Sequence, residues 1–291
     1  MTGRAIARGL LALLAVPAIL GPSPAAHPVV VVTPASARPG DVVVVRVRGV
    51  APEVRGEWAG RPLDFFPVAD GLAALAGVDL EAPLAPIPWR VTRAAPGRGR
   101  AVMAAGRVPI RSRAFGTQEL TLPRDQVDLD AETLARVETE AAELRAVLAR
   151  PTGERLWRGA FLTPVEDGQP TGGFGVRRII NGQPRSPHAG YDWAAARGAP
   201  VLAANAGRVA HVAEHFFAGR LVVLDHGLGL FTLYFHLDEV RAAPGEAVAR
   251  GQRIGVVGAT GRATGPHLHL AVSLGGARVD PEILLALSFP D

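Results

Sequence analysis

Residues 264–274 read TGPHLHLAVSL, and the alternation in this run decides the fold of the second half. A polar or small residue alternates with an apolar one, which is the period of a β-strand. His267 and His269 are two apart, so on an extended strand both rings point to one face. One can bind a metal while the other stands beside it as a proton carrier or charge stabiliser. Upstream, PHAGYD holds His188 and Asp192, four residues apart. On a straight strand these would sit about 13 Å from each other, too far to share an ion. Gly190 between them permits a bend that brings imidazole and carboxylate together. Two histidines and one carboxylate leave a fourth position for water, the open coordination of a catalytic zinc.

A lone His-x-His is a weak signal, and context gives it weight. The pair follows a glycine-rich loop, GVVGATGRATGP, and a third histidine, His236, ends the apolar run LFTLYFH. The glycines at 255, 258, 261 and 265 do not form a phosphate loop, because no Lys-Ser/Thr follows and a strand comes next. They are read as shaping a tight turn that aims His267 and His269 inward. Strands are expected near 200–204, 207–213, 220–225, 230–236, 254–258 and 267–273. His226 is read as structural, and His211 and His215 as solvent-facing positions of a hairpin.

In this order the residues resemble the lysostaphin-type, or LytM-like, zinc endopeptidases of family M23, which cut peptidoglycan cross-bridges. The resemblance covers about residues 160–285. It rests on GGFGVRR, NGQPRSPHAGYDWAA, GAPVLAANAGRV, VVLDHGLGLFTLYFHL and VARGQRIGVVGATGRATGPHLHLAVSLGGARVDPEILL. It implies one Zn2+ per chain, with His188, Asp192 and His269 as ligands and His236 and His267 as the catalytic histidines. It implies a mainly antiparallel β domain with the zinc on the floor of a groove. Arg178 and Asn181 are candidate groove residues. Some relatives carry a tyrosine shortly before the first ligand, and RRIINGQPRSP has none. No His-Glu-x-x-His motif supplies a glutamate base, so amide hydrolysis would fall to zinc with His236 and His267. Alternatives are a non-catalytic LytM-like activator of wall amidases, which would lack site residues, and a D-alanyl-D-alanine carboxypeptidase, whose first ligand pair is spaced differently.

The remainder sets the frame. The chain has 291 residues, 48% of them hydrophobic and 20% charged, enough for two globular domains. There is no cysteine, which excludes a disulfide framework, a thiol nucleophile and a thiolate zinc site. The net charge of +4 comes entirely from arginine cations, too few and scattered for nucleic-acid binding but suited to anionic wall polymers. Residues 1–26 read as a signal peptide: Arg4 and Arg8 precede GLLALLAVPAIL, and Ser23–Ala26 offer small residues for cleavage. An exported protein is expected, periplasmic or else secreted or wall-associated, and not integral to the membrane after cleavage.

Residues 27–118 read as an immunoglobulin-like β domain, with short apolar runs punctuated by Gly, Pro and Asp. No catalytic constellation occurs there, so this half is expected to orient or narrow the groove. Trp58, Trp89, Phe65 and Phe66 are read as packing residues. A helical linker, 119–159, follows. Asp130 is its expected cap, and Leu134, Val137, Ala141, Leu144 and Leu148 form an apolar stripe for docking. Residues 160–291 form the peptidase-like domain, and peptidoglycan peptide stems are the implied substrate.

Overall fold

The computed structural model describes residues 28–288, other than 50–52, 96 and 98. The expected signal peptide lies outside these residues. Two four-stranded antiparallel sheets come first. One joins β1 (Val29–Thr33), β2 (Val42–Arg48), β6 (Gly71–Gly77) and β5 (Phe66–Val68) in that order. The other joins β4 (Arg61–Leu63), β3 (Arg55–Trp58), β7 (Ile87–Ala95) and β8 (Gly99–Val108). They pack face to face through Val43 and Ala76 on one side and Trp58 and Val108 on the other. Trp58 also donates its indole N–H to the Gly77 carbonyl, 3.1 Å away.

The run VVVVRV of β2 is apolar at almost every position because both of its faces are covered. Val43, Val45 and Val47 face the companion sheet. Val42 and Val44 share one core with Trp157, Trp193, Leu270 and Val272 of the second half. Phe66 meets Trp157 edge to face at 5.2 Å. Ion pairs reinforce this seam: Arg278 grips Asp79 and Glu81 at 2.6 and 2.8 Å, and Arg113 meets the buried Asp280 at 2.6 Å.

The second half is built on a ten-stranded sheet. Its main path runs β10 (Gln169–Gly172), β13 (Gly190–Ala194), β20 (His267–Leu274), β17 (Leu230–Val240), β16 (Gly219–Gly227), β15 (Gly207–His215) and β18 (Ala247–Val248). Strands β14 (Pro200–Leu202) and β19 (Arg253–Val257) pair beside β17, and β21 (Ala277–Val279) pairs with β20. In β20 the leucines and Val272 enter the shared core, so His267 and His269 take the opposite, outer face. A short helix α2 (Pro281–Ala286), capped by Asp280, closes the described chain.

Helix α1 (Ala131–Leu148) begins where its cap signal is: the Asp130 carboxylate accepts from Thr133 N at 2.7 Å. Its stripe docks only in part. Leu144, Val147 and Leu148 rest on Leu221, Val223, Phe231 and Leu233 of the outer face, whereas Leu134 is 48% exposed. No residue of the helix is fully buried.

A third sheet holds β9 (Thr117–Leu120), β11 (Arg177–Ile180) and β12 (Gln183–Arg185). Strands β9 and β11 pair in parallel, and β9 straddles residues 118 and 119. Among the described residues no helix is long and apolar enough to cross a membrane.

Candidate metal centre and groove

The outer face of β13, β20 and β17 carries the site. Register sets Asp192 opposite His269, and His269 opposite Phe235 on the other side. Ala194 faces His267. His188 lies just before β13, its backbone bonded both ways to Gly175 and Val176. His188, Asp192 and His269 are all buried, and one ligand atom from each lies within 4.8 Å of the others.

Gly190 works differently from the sequence reading. Its φ is not positive, so it is needed for room and not for an unusual bend. A Cβ there would sit 2.5 Å from His269 Nε2. Gly172 is likewise tight, since its Cβ would meet Asp192 Oδ2 at 2.5 Å. Two glycines thus let two site side chains pass close to backbone.

The proton positions follow from the partners. His188 Nδ1 is 2.8 Å from the Gly173 carbonyl, which can only accept. Nδ1 therefore donates, and Nε2 turns a lone pair into the site. That Nε2 lies 3.1 Å from Asp192 Oδ1 and 2.9 Å from His269 Nδ1, while His269 Nδ1 is 2.7 Å from Asp192 Oδ1. Burial works to raise the Asp192 pKa, but hydrogen bonding and charge from His188 and His269 overcome it, and the carboxyl is held well below the usual carboxylate range. Burial pushes His269 down to about 4, so its ring is neutral at ordinary pH. A neutral His269 has a single N–H to offer these contacts, and the remaining lone pairs face one another. A cation at their meeting point removes that conflict. The donor set, two neutral imidazoles and a carboxylate, fits zinc.

His236 and His267 stand at the edge of this trio. Their rings are 4.7 Å apart, and His236 is 6.1 Å from the His269 ring. Each Nδ1 donates to a backbone carbonyl at 2.8 Å, His236 to Thr260 and His267 to Gly265. Each Nε2 is left as a free acceptor, and that of His267 is 3.9 Å from Asp192 Oδ1. Burial, then the neighbouring His269 and His267, push the His236 pKa down to about 3. Strict alternation would send His236 into the core beside Tyr234. A β-bulge between Tyr234 and Leu237, with His236 at φ 64°, turns its ring toward the site instead.

A groove lies over these residues. Gln118, Leu120 and Leu122 form one wall, and the 262–266 loop contributes the other. Arg178 lines the floor, with Nη2 3.3 Å from Asp192 Oδ2. Burial lowers the Arg178 pKa, opposed by the Asp192 charge. Asn181 sits in the Asn-Gly turn between β11 and β12, at φ 51°. Its side-chain amide is committed to both backbone groups of Leu122, at 3.0 and 2.9 Å. It supports the wall of the groove from behind.

Arg262 was not singled out in the sequence. It lies 4.0 Å from the Phe217 ring centroid, and burial, then Arg178 and Arg185, lower its pKa to about 10. Its signal was a lone arginine inside a glycine-rich loop. Phe235, stacked on His269 at 5.2 Å, was hidden in an apolar run. His226 is buried and bridges the Ala206 carbonyl and Thr232 Oγ1, as a structural residue would. His211 and His215 depart from expectation: His215 is buried and His211 half-buried, both beneath α1 beside Glu143.

Comparison with known proteins places the fold and these motifs together. The sequence pattern described as peptidase family M23 matches residues 186–281, which hold all five histidine and aspartate positions. A solved Pseudomonas aeruginosa structure assigned to peptidase M23 is 32% identical, with a TM-score of 0.66 over 85% of this chain and 94% of that one. The chain belongs to peptidase family M23. Among M23-type relatives, peptidoglycan DD-endopeptidase ShyB of Vibrio cholerae is 40% identical over 132 residues, 44% of this chain and 31% of that protein. The DD-carboxypeptidase/endopeptidase Mpg of Neisseria meningitidis is 36% identical over 143 residues, 43% of this chain and 33% of that protein. The chain spans about a third of the length of these curated relatives.

Proposed function

We propose that this M23 protein is an exported zinc endopeptidase that hydrolyses amide bonds in peptidoglycan peptide cross-links. The observation that carries the reading is the buried trio His188, Asp192 and His269, whose lone pairs converge beside two further histidines in a groove. One Zn2+ is held by that trio. When bound, zinc supplies a Lewis acid that polarises the scissile carbonyl and acidifies water.

The chain's own residues do the rest. His236 and His267, each with Nδ1 tied to a carbonyl, keep Nε2 ready to accept the proton of attacking water and return it to the leaving amine. Asp192 stays ionised, and Arg178 holds its second oxygen. Arg178 and Arg262 give the groove a positive lining that suits the carboxylates of peptide stems. The DD-endopeptidase name of the Vibrio relative supports a bond between two D-centres over a glycyl bridge. The N-terminal run supports export to the periplasm, and residues 27–118 serve to position the groove.

The Neisseria name supports a second reading, removal of a terminal D-alanine by the same site. Both readings are tested by digesting purified muropeptides with the zinc-loaded chain and weighing the products. Cross-linked dimers converted to monomers support the endopeptidase. Loss of a single alanine from monomers supports the carboxypeptidase. Unchanged muropeptides would overturn both.

A further inference from the structure

A second cluster of metal-ligating side chains lies under α1, apart from the groove trio. Glu143 comes from the helix, and His211 and His215 from β15. One ligand atom from each lies within 4.8 Å of the others. The carboxylate is shared: Glu143 Oε2 is 3.2 Å from His215 Nε2, and Oε1 is 3.5 Å from His211 Nε2. The His215 and His211 side chains are 6% and 15% exposed, while Glu143 is 49% exposed, which leaves one open side. His211 Nε2 is buried without a hydrogen-bond partner, although it faces a carboxylate. A buried nitrogen with no partner calls for an explanation.

We infer that Glu143, His211 and His215 form a second metal site, for a divalent transition cation of the zinc class, which clasps α1 to the β15–β16 hairpin. The donor set is the same as in the groove, two imidazoles and one carboxylate with room for water. An ion pair alone would leave the His211 nitrogen unanswered, because its geometry with Glu143 makes no hydrogen bond.

A clasp has something to hold. Helix α1 buries no residue fully; its other ties are the partial packing of Leu144, Val147 and Leu148 and hydrogen bonds such as Phe216 N to Glu140 at 2.8 Å. Val137, Ala141 and Leu144 of α1 also wall a cleft that reaches His236 and His269. Metal at this site therefore fixes one wall beside the groove without touching the groove residues. This is a positioning role.

The test uses the full chain, stripped with chelator and dialysed against micromolar zinc. Zinc per chain is measured by mass spectrometry, and amide hydrogen exchange is followed across 131–148. Glu143→Ala suits this purpose because the position is half exposed and alanine favours helix. The wild type should hold two zinc ions, Glu143→Ala one, Asp192→Ala one and the double variant none. Zinc should slow exchange in α1 of the wild type and of Asp192→Ala, but not of Glu143→Ala. A wild type with one zinc that Asp192→Ala abolishes would overturn the second site and leave the groove site standing. Two zinc ions in Glu143→Ala would also overturn it. Unreduced zinc in Asp192→Ala, with loss only in Glu143→Ala, would support the second site and count against the groove site.

Discussion

The sharpest division of labour lies among five side chains a few ångströms apart. His188, Asp192 and His269 converge on one point, while His236 and His267 turn free Nε2 atoms toward the groove. His236→Ala and His267→Ala should keep the groove zinc and lose cleavage by on the order of a hundredfold or more. Unchanged turnover with full zinc would remove these histidines from the mechanism. His226 carries a different consequence. It is fully buried, and burial pushes its pKa down to about 4, opposed by its bond to Ala206 and the Asp225 charge. In the unfolded chain the ring titrates near 6.5, so between 6.5 and 4 the unfolded state binds the extra proton. Stability from this group is whole above pH 6.5 and falls as the pH drops toward 4, by about 3 kcal/mol in all. Melting curves over that range should be flatter in His226→Gln than in the wild type. Parallel curves would refute this origin. At this scale the sequence was most legible, because ligand chemistry is carried by residue type and spacing. His215 was misread because its burial comes from α1, whose Glu143 lies 72 residues away in the chain.

Among the elements, the six strands expected from apolar runs correspond to β14, β15, β16, β17, β19 and β20. The strands β9, β11 and β12 were not legible. Their residues are mostly polar, and β9 pairs with β11 across sixty positions, so no local alternation marks them. Only the Asn-Gly turn at 181–182 hinted at a hairpin. That turn matters beyond its own sheet, because the Asn181 amide braces Leu122 in the groove wall. Asn181→Ala puts at φ 51° a residue that tolerates the left-handed region less well than asparagine and removes both bonds, which should cost about 1–2 kcal/mol of stability. Zinc content should stay unchanged, since no ligand is touched, and KM for cross-linked peptide should rise more than kcat falls. A loss of zinc in this variant would contradict the separation of wall from metal centre. The bulge that aims His236 was also unreadable, because alternation alone assigns that residue to the core.

The two halves of the whole molecule are joined more deeply than their compositions suggest. The lack of catalytic residues in 27–118 pointed to a half that only orients or narrows the groove, and a chain starting at Pro151 would contain all five groove residues. The structure gives that fragment two exposed wounds. It loses Val42, Val44 and Phe66 from the shared core, and it loses β9, the strand beside β11. A 151–291 fragment is expected to aggregate or to unfold without a cooperative transition, because a large apolar face is left open. A monomeric fragment with the melting temperature of the full chain would show that the shared core contributes nothing. The sequence concealed this dependence because β2 is apolar on both faces, a pattern that fits a buried strand of either half. Anomalous diffraction at the zinc edge, from crystals of the full chain, shows whether zinc sits in the groove on His188, Asp192 and His269. An anomalous peak is expected within the triangle of His188 Nε2, Asp192 Oδ1 and His269 Nδ1, beside the rings of His236 and His267. A chain that cleaves cross-linked muropeptides in the same zinc buffer but shows no peak among those three atoms would contradict that placement.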